Sequence, residues 1–343
     1  MKTTILFTVA LLQVGVLAWM AGEREWIGHY GKTVYLRTAP VDPRDVMRGD
    51  YVRLNYELSN VPRKLCRGKL AEADFSQLPA DSVVYAALSP DENGVAALES
   101  VSLDRPTASW FIRGRTERSG PMLQVRYGIE AFFTEQGKGA ALEQGRTIGD
   151  FRVPLEMKVA LSRGGLGVLQ NYRWCPLGLG LALEMRDVVR PPGGSGPRQQ
   201  HAVAATLTLL NAGSNDLGIV DVPGGGSLRL LPDARWGGDK WEWAPPESTP
   251  ASMAQARVVV LKPGQTHSMK VDFEDPRWFV TTTGQGAAAK PFSKIETQQA
   301  WSARFRFEYH PPDRAACANL PNANLIWHGT LLSRGFSPVG NID

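Results

Sequence analysis

From Pro40 to Tyr51 the sequence reads PVDPRDVMRGDY, with Asp42, Asp45 and Asp50 set among Arg44 and Arg48, and Arg53 close behind. Groups of these types do one of two things. They pair, because the planar guanidinium takes a carboxylate through two parallel bonds. Or they leave a carboxylate open as a general acid, a base or a ligand contact. A second stretch, YGIEAFFTEQGKG at Tyr127–Gly139, supplies Glu130 and Glu135. Two carboxylates are the minimum for acid/base hydrolysis, but positions five apart on a strand face opposite ways. That stretch is therefore read as a strand entering a Gly-rich loop, with Glu130 free to join the arginines upstream in one polar site. A third stretch, RWGGDKWEW, carries Trp236, Trp241 and Trp243. Loop aromatics stack on sugars or partner side chains, or they fill the space beneath their own loop. The binding candidates are thus Arg44, Asp45, Arg48, Asp50, Tyr51, Glu130, Trp236, Trp241 and Trp243.

Other chemistries lack their residues. A Gly-Asp pair leading into a strand behind an apolar N-terminus also occurs in signal peptidases. That reaction needs an activated Ser with a Lys base, and RTAPVDPRDVMR offers Thr38 and no Ser. The five histidines show no HxH or HExxH spacing and the three cysteines no CxxC pair, so no metal is assigned. Asp272, Glu274 and Asp275 lie too close in a row to build a shell of six or more oxygens. Arg48-Gly49-Asp50 is too short a string to define an adhesion tag. No nucleotide loop or nucleophile elbow occurs, so neither a cofactor nor a catalytic residue is assigned. Net charge is +4 without a basic block, which argues against nucleic acid. Cys66, Cys175 and Cys317 allow one disulfide plus a thiol, or three free thiols.

The elements that must position these residues are mostly strands. Of 343 residues, 43% are hydrophobic and 21% charged, with 35 Gly and 24 Pro, which favours turns and short strands. The exception is the N-terminus. Lys2 precedes an apolar run, Ile5–Gly22, which at about 1.5 Å per residue reaches roughly 27 Å, enough to span a bilayer. A cleaved signal peptide is the competing reading, but Trp19 and Met20 fit an interfacial anchor better than a cleavage exit. With Lys2 inside, the bulk of the chain is extracytoplasmic.

Beyond it, TVYLRT, YVRLNYEL, SVVYAALS and MLQVRYGIEAFF alternate as half-buried strands. DFRVPLEMKVALS and LGVLQNYRW read as a hairpin turned by Gly164-Gly165. RPPGGSGPRQQ is a linker. The expected organisation is an anchor over 1–27, a β domain over 28–190, a linker over 191–200 and an immunoglobulin-like β-sandwich over 201–343. In the last, Ala256–Phe273 is expected to turn at Pro263-Gly264.

Gly49-Asp50-Tyr51-x-x-Leu54-x-Tyr56 resembles the signature of the GDYXXLXY family of bacterial membrane-anchored proteins. The similarity extends through VYLRTAPVDPRDVMRGDYVRLNYEL, VYAALSPDENGVA and QVRYGIEAFFTEQGKG, from Met1 to about Arg190. The resemblance implies an envelope protein of uncharacterised role, often encoded beside multi-pass membrane proteins. The expected function is a noncatalytic accessory subunit in the bacterial cytoplasmic membrane, held through residues 5–22 and bound to such a multi-pass partner. An envelope hydrolase using the Asp/Arg/Glu cluster and a carbohydrate binder using the Trp loop are the alternatives.

Overall fold

The computed structural model describes residues 2–39, 51–75, 77–117, 122–134, 142, 146–187, 200–233, 240–245, 253–283, 288–295 and 303–340. A run that is apolar on every side has no reason to fold onto one face. Accordingly helix α1, Lys2–Tyr30, leaves its apolar length uncovered. Its segment Ile5–Tyr30 is long and apolar enough to cross a bilayer.

The base of α1 is seated on the protein. Ile27 is buried, and the Gln170 side-chain amide donates to the Gly28 carbonyl at 2.5 Å. Gly31 alone separates α1 from strand β1 (Lys32–Ala39). A Cβ there would stand 2.5 Å from the Ile27 carbonyl oxygen and 3.0 Å from that of Leu161, so only glycine fits.

The chain forms two compact units, residues 1–144 with 155–173, and residues 145–154 with 174–343. Both are mainly β. In chain order the strands after β1 are β2 (Tyr51–Arg53), β3 (Asn55–Tyr56), β4 (Asn60–Val61), β5 (Val83–Pro90), β6 (Ala96–Ser102), β7 (Phe111–Thr116), β8 (Leu123–Arg126) and β9 (Ala131–Phe133). Then follow β10 (Arg146–Ile148), β11 (Phe151–Val153), β12 (Leu155–Leu161), β13 (Gly167–Trp174), β14 (Leu177–Asp187) and β15 (Gln200–Asn211).

The first unit holds a sheet ordered β13-β12-β1-β3, a second ordered β4-β8-β7-β5-β6, and the pair β2-β9. The expected strand Tyr51–Leu58 is broken, giving β2, β3 and one turn of 3-10 helix, Glu57–Ser59. Its inward set survives the break: Val52, Leu54, Tyr56 and Leu58 are all buried. The expected strand Met122–Phe133 likewise divides at Gly128, whose φ of 78° turns the chain between β8 and β9. Gly165, at φ 81°, makes the turn expected between β12 and β13, and the Ser162 hydroxyl accepts from the Gly164 and Leu166 amides. The expected arm starting at Asp150 is not continuous with β12, because β11 belongs to the second unit.

That unit's largest sheet runs β10-β11-β14-β15 and then Thr266–Asp272. Residues 191–199 of the expected linker lie outside the described residues. The strands on either side pair directly, from Leu177 opposite Asn211 to Asp187 opposite Gln200. The segment therefore joins two neighbours of one sheet, and the compact units divide elsewhere. Pro263-Gly264 does turn, with Gly264 at φ 80°, but its flanking strands join different partners: Arg257–Leu261 pairs with Leu217–Asp221, and Thr266–Asp272 with β15. An aromatic cluster fills the core. Phe273 stacks on Phe292 at 4.5 Å and Phe307 on Phe336 at 5.1 Å between ring centres. None of the three cysteines is in a disulfide, and all are buried.

Candidate functional site

The two sequence stretches singled out for chemistry, around Tyr51 and around Glu130, meet in the first unit. β2 pairs antiparallel with β9, placing Tyr51 opposite Phe133 and Arg53 opposite Ala131. The Leu54 amide then donates to the Glu130 carbonyl at 2.7 Å. Tyr56 donates its hydroxyl to the Ile129 carbonyl at 2.8 Å, and Tyr127 returns one to the Leu58 carbonyl at 3.0 Å. The Glu130 carboxylate closes the turn by accepting the Tyr127 amide at 2.5 Å. Burial, and then the nearby Glu130 charge, push both phenols far above the ordinary tyrosine range. They stay neutral donors, which is what two buried carbonyls require.

This arrangement explains the spacing Tyr51-x-x-Leu54-x-Tyr56. Tyr51 starts the pairing with β9, Leu54 enters the core, and Tyr56 locks the turn that carries Glu130. Residues 13–171 match the model of the family described as GDYXXLXY protein. The N-terminal half of this chain belongs to the GDYXXLXY family. No curated protein and no solved structure matches the chain.

Beside the signature the GDYXXLXY domain opens a groove of about 320 Å³. Arg53, Asn55, Glu117, Gln124, Arg126 and Glu130 line it, so cations and carboxylates balance. Arg126 also pairs with Asp81 at 3.2 Å. A groove of this make-up suits a polar protein segment of mixed charge better than an apolar ligand.

Of the expected site residues, Tyr51 and Glu130 lie on segments that pair, but at opposite ends of the pairing: Tyr51 stands opposite Phe133, and Glu130 adjoins Leu54. Arg44, Asp45, Arg48, Asp50 and Trp236 lie outside the described residues. The Trp loop departs from a sugar platform, which needs exposed rings. Trp241 is 6% exposed and packs beside Phe305. Trp243 stacks on Trp278 at 5.9 Å and donates its indole N–H to the Arg277 carbonyl at 2.6 Å. Burying apolar rings outweighs displaying them here. The acidic run downstream is locally engaged too: Asp272 accepts the Glu274 amide and Asp275 the Arg277 amide, each at 2.9 Å.

Sequence reasoning missed the most buried charges of the GDYXXLXY domain. Glu156, 1% exposed, accepts at Oε1 from Nε and Nη2 of Arg37, both at 3.2 Å, and at Oε2 from Nε of Arg173 at 2.7 Å. Arg173 also donates to the Asn93 carbonyl at 2.8 Å and lies 3.6 Å from the centre of the Tyr35 ring. Asp91 opens that turn, accepting the Asn93 and Val95 amides, and burial raises its carboxyl above the usual range. The signal was a pair of opposite charges inside apolar strands, Arg37 in VYLRT and Glu156 in LEMKVAL, which the β1–β12 register places directly opposite. With both carboxylate oxygens occupied, this is a structural clamp.

Proposed function

We propose that the chain is a noncatalytic accessory subunit. α1 holds it in the bacterial cytoplasmic membrane as a single span, and the GDYXXLXY domain binds a multi-pass membrane protein beside it. The chain beyond α1 lies outside the cytoplasm, since Lys2 marks the inner end of the span. The second unit, an immunoglobulin-like sandwich on this reading, presents a recognition surface in the envelope.

One observation carries the proposal. Tyr56 of the signature and Tyr127, in the turn that Tyr56 locks, give their hydroxyls to backbone carbonyls, so these residues shape a surface instead of activating a substrate. What they shape is the charge-balanced groove of Arg53, Arg126, Glu117 and Glu130. Charge pairs of this kind set register and partner choice more than they set affinity.

The test is co-purification, in mild detergent, with the multi-pass protein encoded alongside. Wild type should retain that partner, and deletion of residues 2–22 should lose it. Arg53→Glu/Arg126→Glu should lose it while staying in the membrane fraction. Undiminished co-purification of the groove variant would overturn the assignment of the surface. A second reading, an envelope hydrolase, draws on Glu117 and Glu130 sharing one groove. It requires Glu130→Gln to abolish a measurable turnover.

A further inference from the structure

A larger hollow, about 1020 Å³, lies where α1 enters the first unit. Its walls are the last turns of α1, the approach to β7 and the β12–β13 turn. Four cations line it: Lys32, Arg105, Arg113 and Arg163, all exposed. Glu23 is the one acid among its described lining residues. No ion pair to any of the four cations occurs among the described residues. Lys32 donates only to the Ser109 carbonyl, at 3.3 Å, and stands 5.2 Å from the centre of the Trp110 ring. Arg105 donates to the Arg163 carbonyl and stands 5.2 Å from the Phe111 ring. Trp26 and Tyr30, one turn apart on α1, hold exposed rings 4.4 Å apart at the same hollow.

Its height above the apolar run matters. At about 1.5 Å per helical residue, Trp26 stands roughly 6 Å and Tyr30 roughly 12 Å beyond Gly22. The headgroup layer on each side of a bilayer is about 5–8 Å deep. The helical wall of the hollow therefore begins within that layer and ends just above it. Trp26 at headgroup depth, with Tyr30 and cations that make no ion pair among the described residues above it, matches the chemistry of a phosphate on an apolar tail. A water-facing hollow meant for a neutral ligand has no use for that excess of positive charge.

We infer that this hollow seats the headgroup of an anionic phospholipid, its phosphate held by Lys32, Arg105, Arg113 and Arg163 and its glycerol end against Trp26. The inference rests on α1 spanning the membrane. It adds a lipid site distinct from the signature groove. Interfacial cations favour anionic over zwitterionic lipid several-fold each.

The test uses the full chain in nanodiscs of phosphatidylcholine with phosphatidylglycerol in equal parts, followed by gentle detergent extraction and analysis of the lipid retained. Wild type should retain phosphatidylglycerol over phosphatidylcholine. Arg113→Glu/Arg163→Glu should lower that preference at least about fivefold. The milder Arg113→Gln/Arg163→Gln should give an intermediate value, and all three proteins should unfold at the same temperature. Equal retention of the two lipids by wild type, or an unchanged preference in both variants, would overturn the lipid site. So would a preference that inorganic phosphate abolishes, since the hollow would then be a general phosphate site. Alkaline carbonate washing separates this from failure of the anchor. Chain that stays in the membrane but shows no preference refutes the lipid site alone, and chain that washes off refutes the span.

Discussion

Tyr56 donates its hydroxyl to the backbone carbonyl of Ile129 across a core that admits no solvent to the ring. The last residue of the signature thus acts on a turn more than seventy positions away. Replacing Tyr56 by Phe keeps the packing and orphans the carbonyl, which costs about 1–3 kcal/mol. Urea unfolding of the detergent-solubilised protein should show this as a lower midpoint with an unchanged slope. Tyr127→Phe orphans the Leu58 carbonyl and should act similarly. Because both bonds stitch the same turn, the double variant should differ from the sum of the singles. A Tyr56→Phe midpoint equal to wild type would mean that the bond does not hold the turn.

Glu156 is the centre of the buried clamp. Glu156→Gln removes the buried carboxylate charge that Arg37 and Arg173 share, for which a loss of up to about 3–5 kcal/mol is expected. Arg173→Gln should cost clearly less, since that side chain is about a third exposed. Arg37→Met/Glu156→Met removes both buried charges and should be more stable than Glu156→Gln alone. Thermal unfolding ranks the three, and a less stable double variant contradicts the clamp as described.

Asp91 makes stability depend on pH in a direction unusual for a carboxylate. Its pKa is raised in the fold, chiefly by burial. The native protein therefore binds the proton more tightly than the unfolded chain does. Stability falls as pH rises from the ordinary aspartate range to the raised value, and stays lower above it. Asn at this position keeps an oxygen for the Asn93 and Val95 amides and has no charge to bury. Asp91→Asn should be more stable than wild type near neutrality, with the gain shrinking on acidification. Denaturant titrations across the acidic range check the sign, and a gain that grows at low pH would refute it.

Gly164 and Gly165 look alike in sequence and differ in space. A Cβ on Gly165 would lie 2.7 Å from the Phe111 ring, at a φ of 81°, whereas one on Gly164 meets nothing nearer than 3.7 Å. Gly165→Ala should cost about 1–3 kcal/mol. Gly164→Ala should be nearly neutral. Comparable losses at both would place the left-handed residue elsewhere.

The β class, the apolar helix and the inward set Val52, Leu54, Tyr56 and Leu58 were legible, because alternation and hydrophobic length are local properties of the chain. The signature was legible as a family string, though not as a device. That Tyr56 reaches Ile129 depends on strand pairing, which a single sequence does not encode in any short window. The Arg37–Glu156 pair was hidden for the same reason. The Trp loop misled because composition does not say which way a ring turns: Trp241 and Trp243 both turn inward. The Pro-Gly-Ser stretch at 191–200 looked like a hinge between domains because its composition suits a long connection within a sheet equally well.

Gly31 is the whole of the chain between α1 and β1, and the buried Ile27 and the Gln170–Gly28 hydrogen bond seat the end of the helix just before that joint. A domain on a long leash explores a hemisphere above its membrane and meets partners by chance. On the proposed span, the first unit keeps one face toward the bilayer and turns only as the helix turns. Its encounters become a two-dimensional search at a fixed height, which favours neighbours that share the membrane over anything arriving from solution.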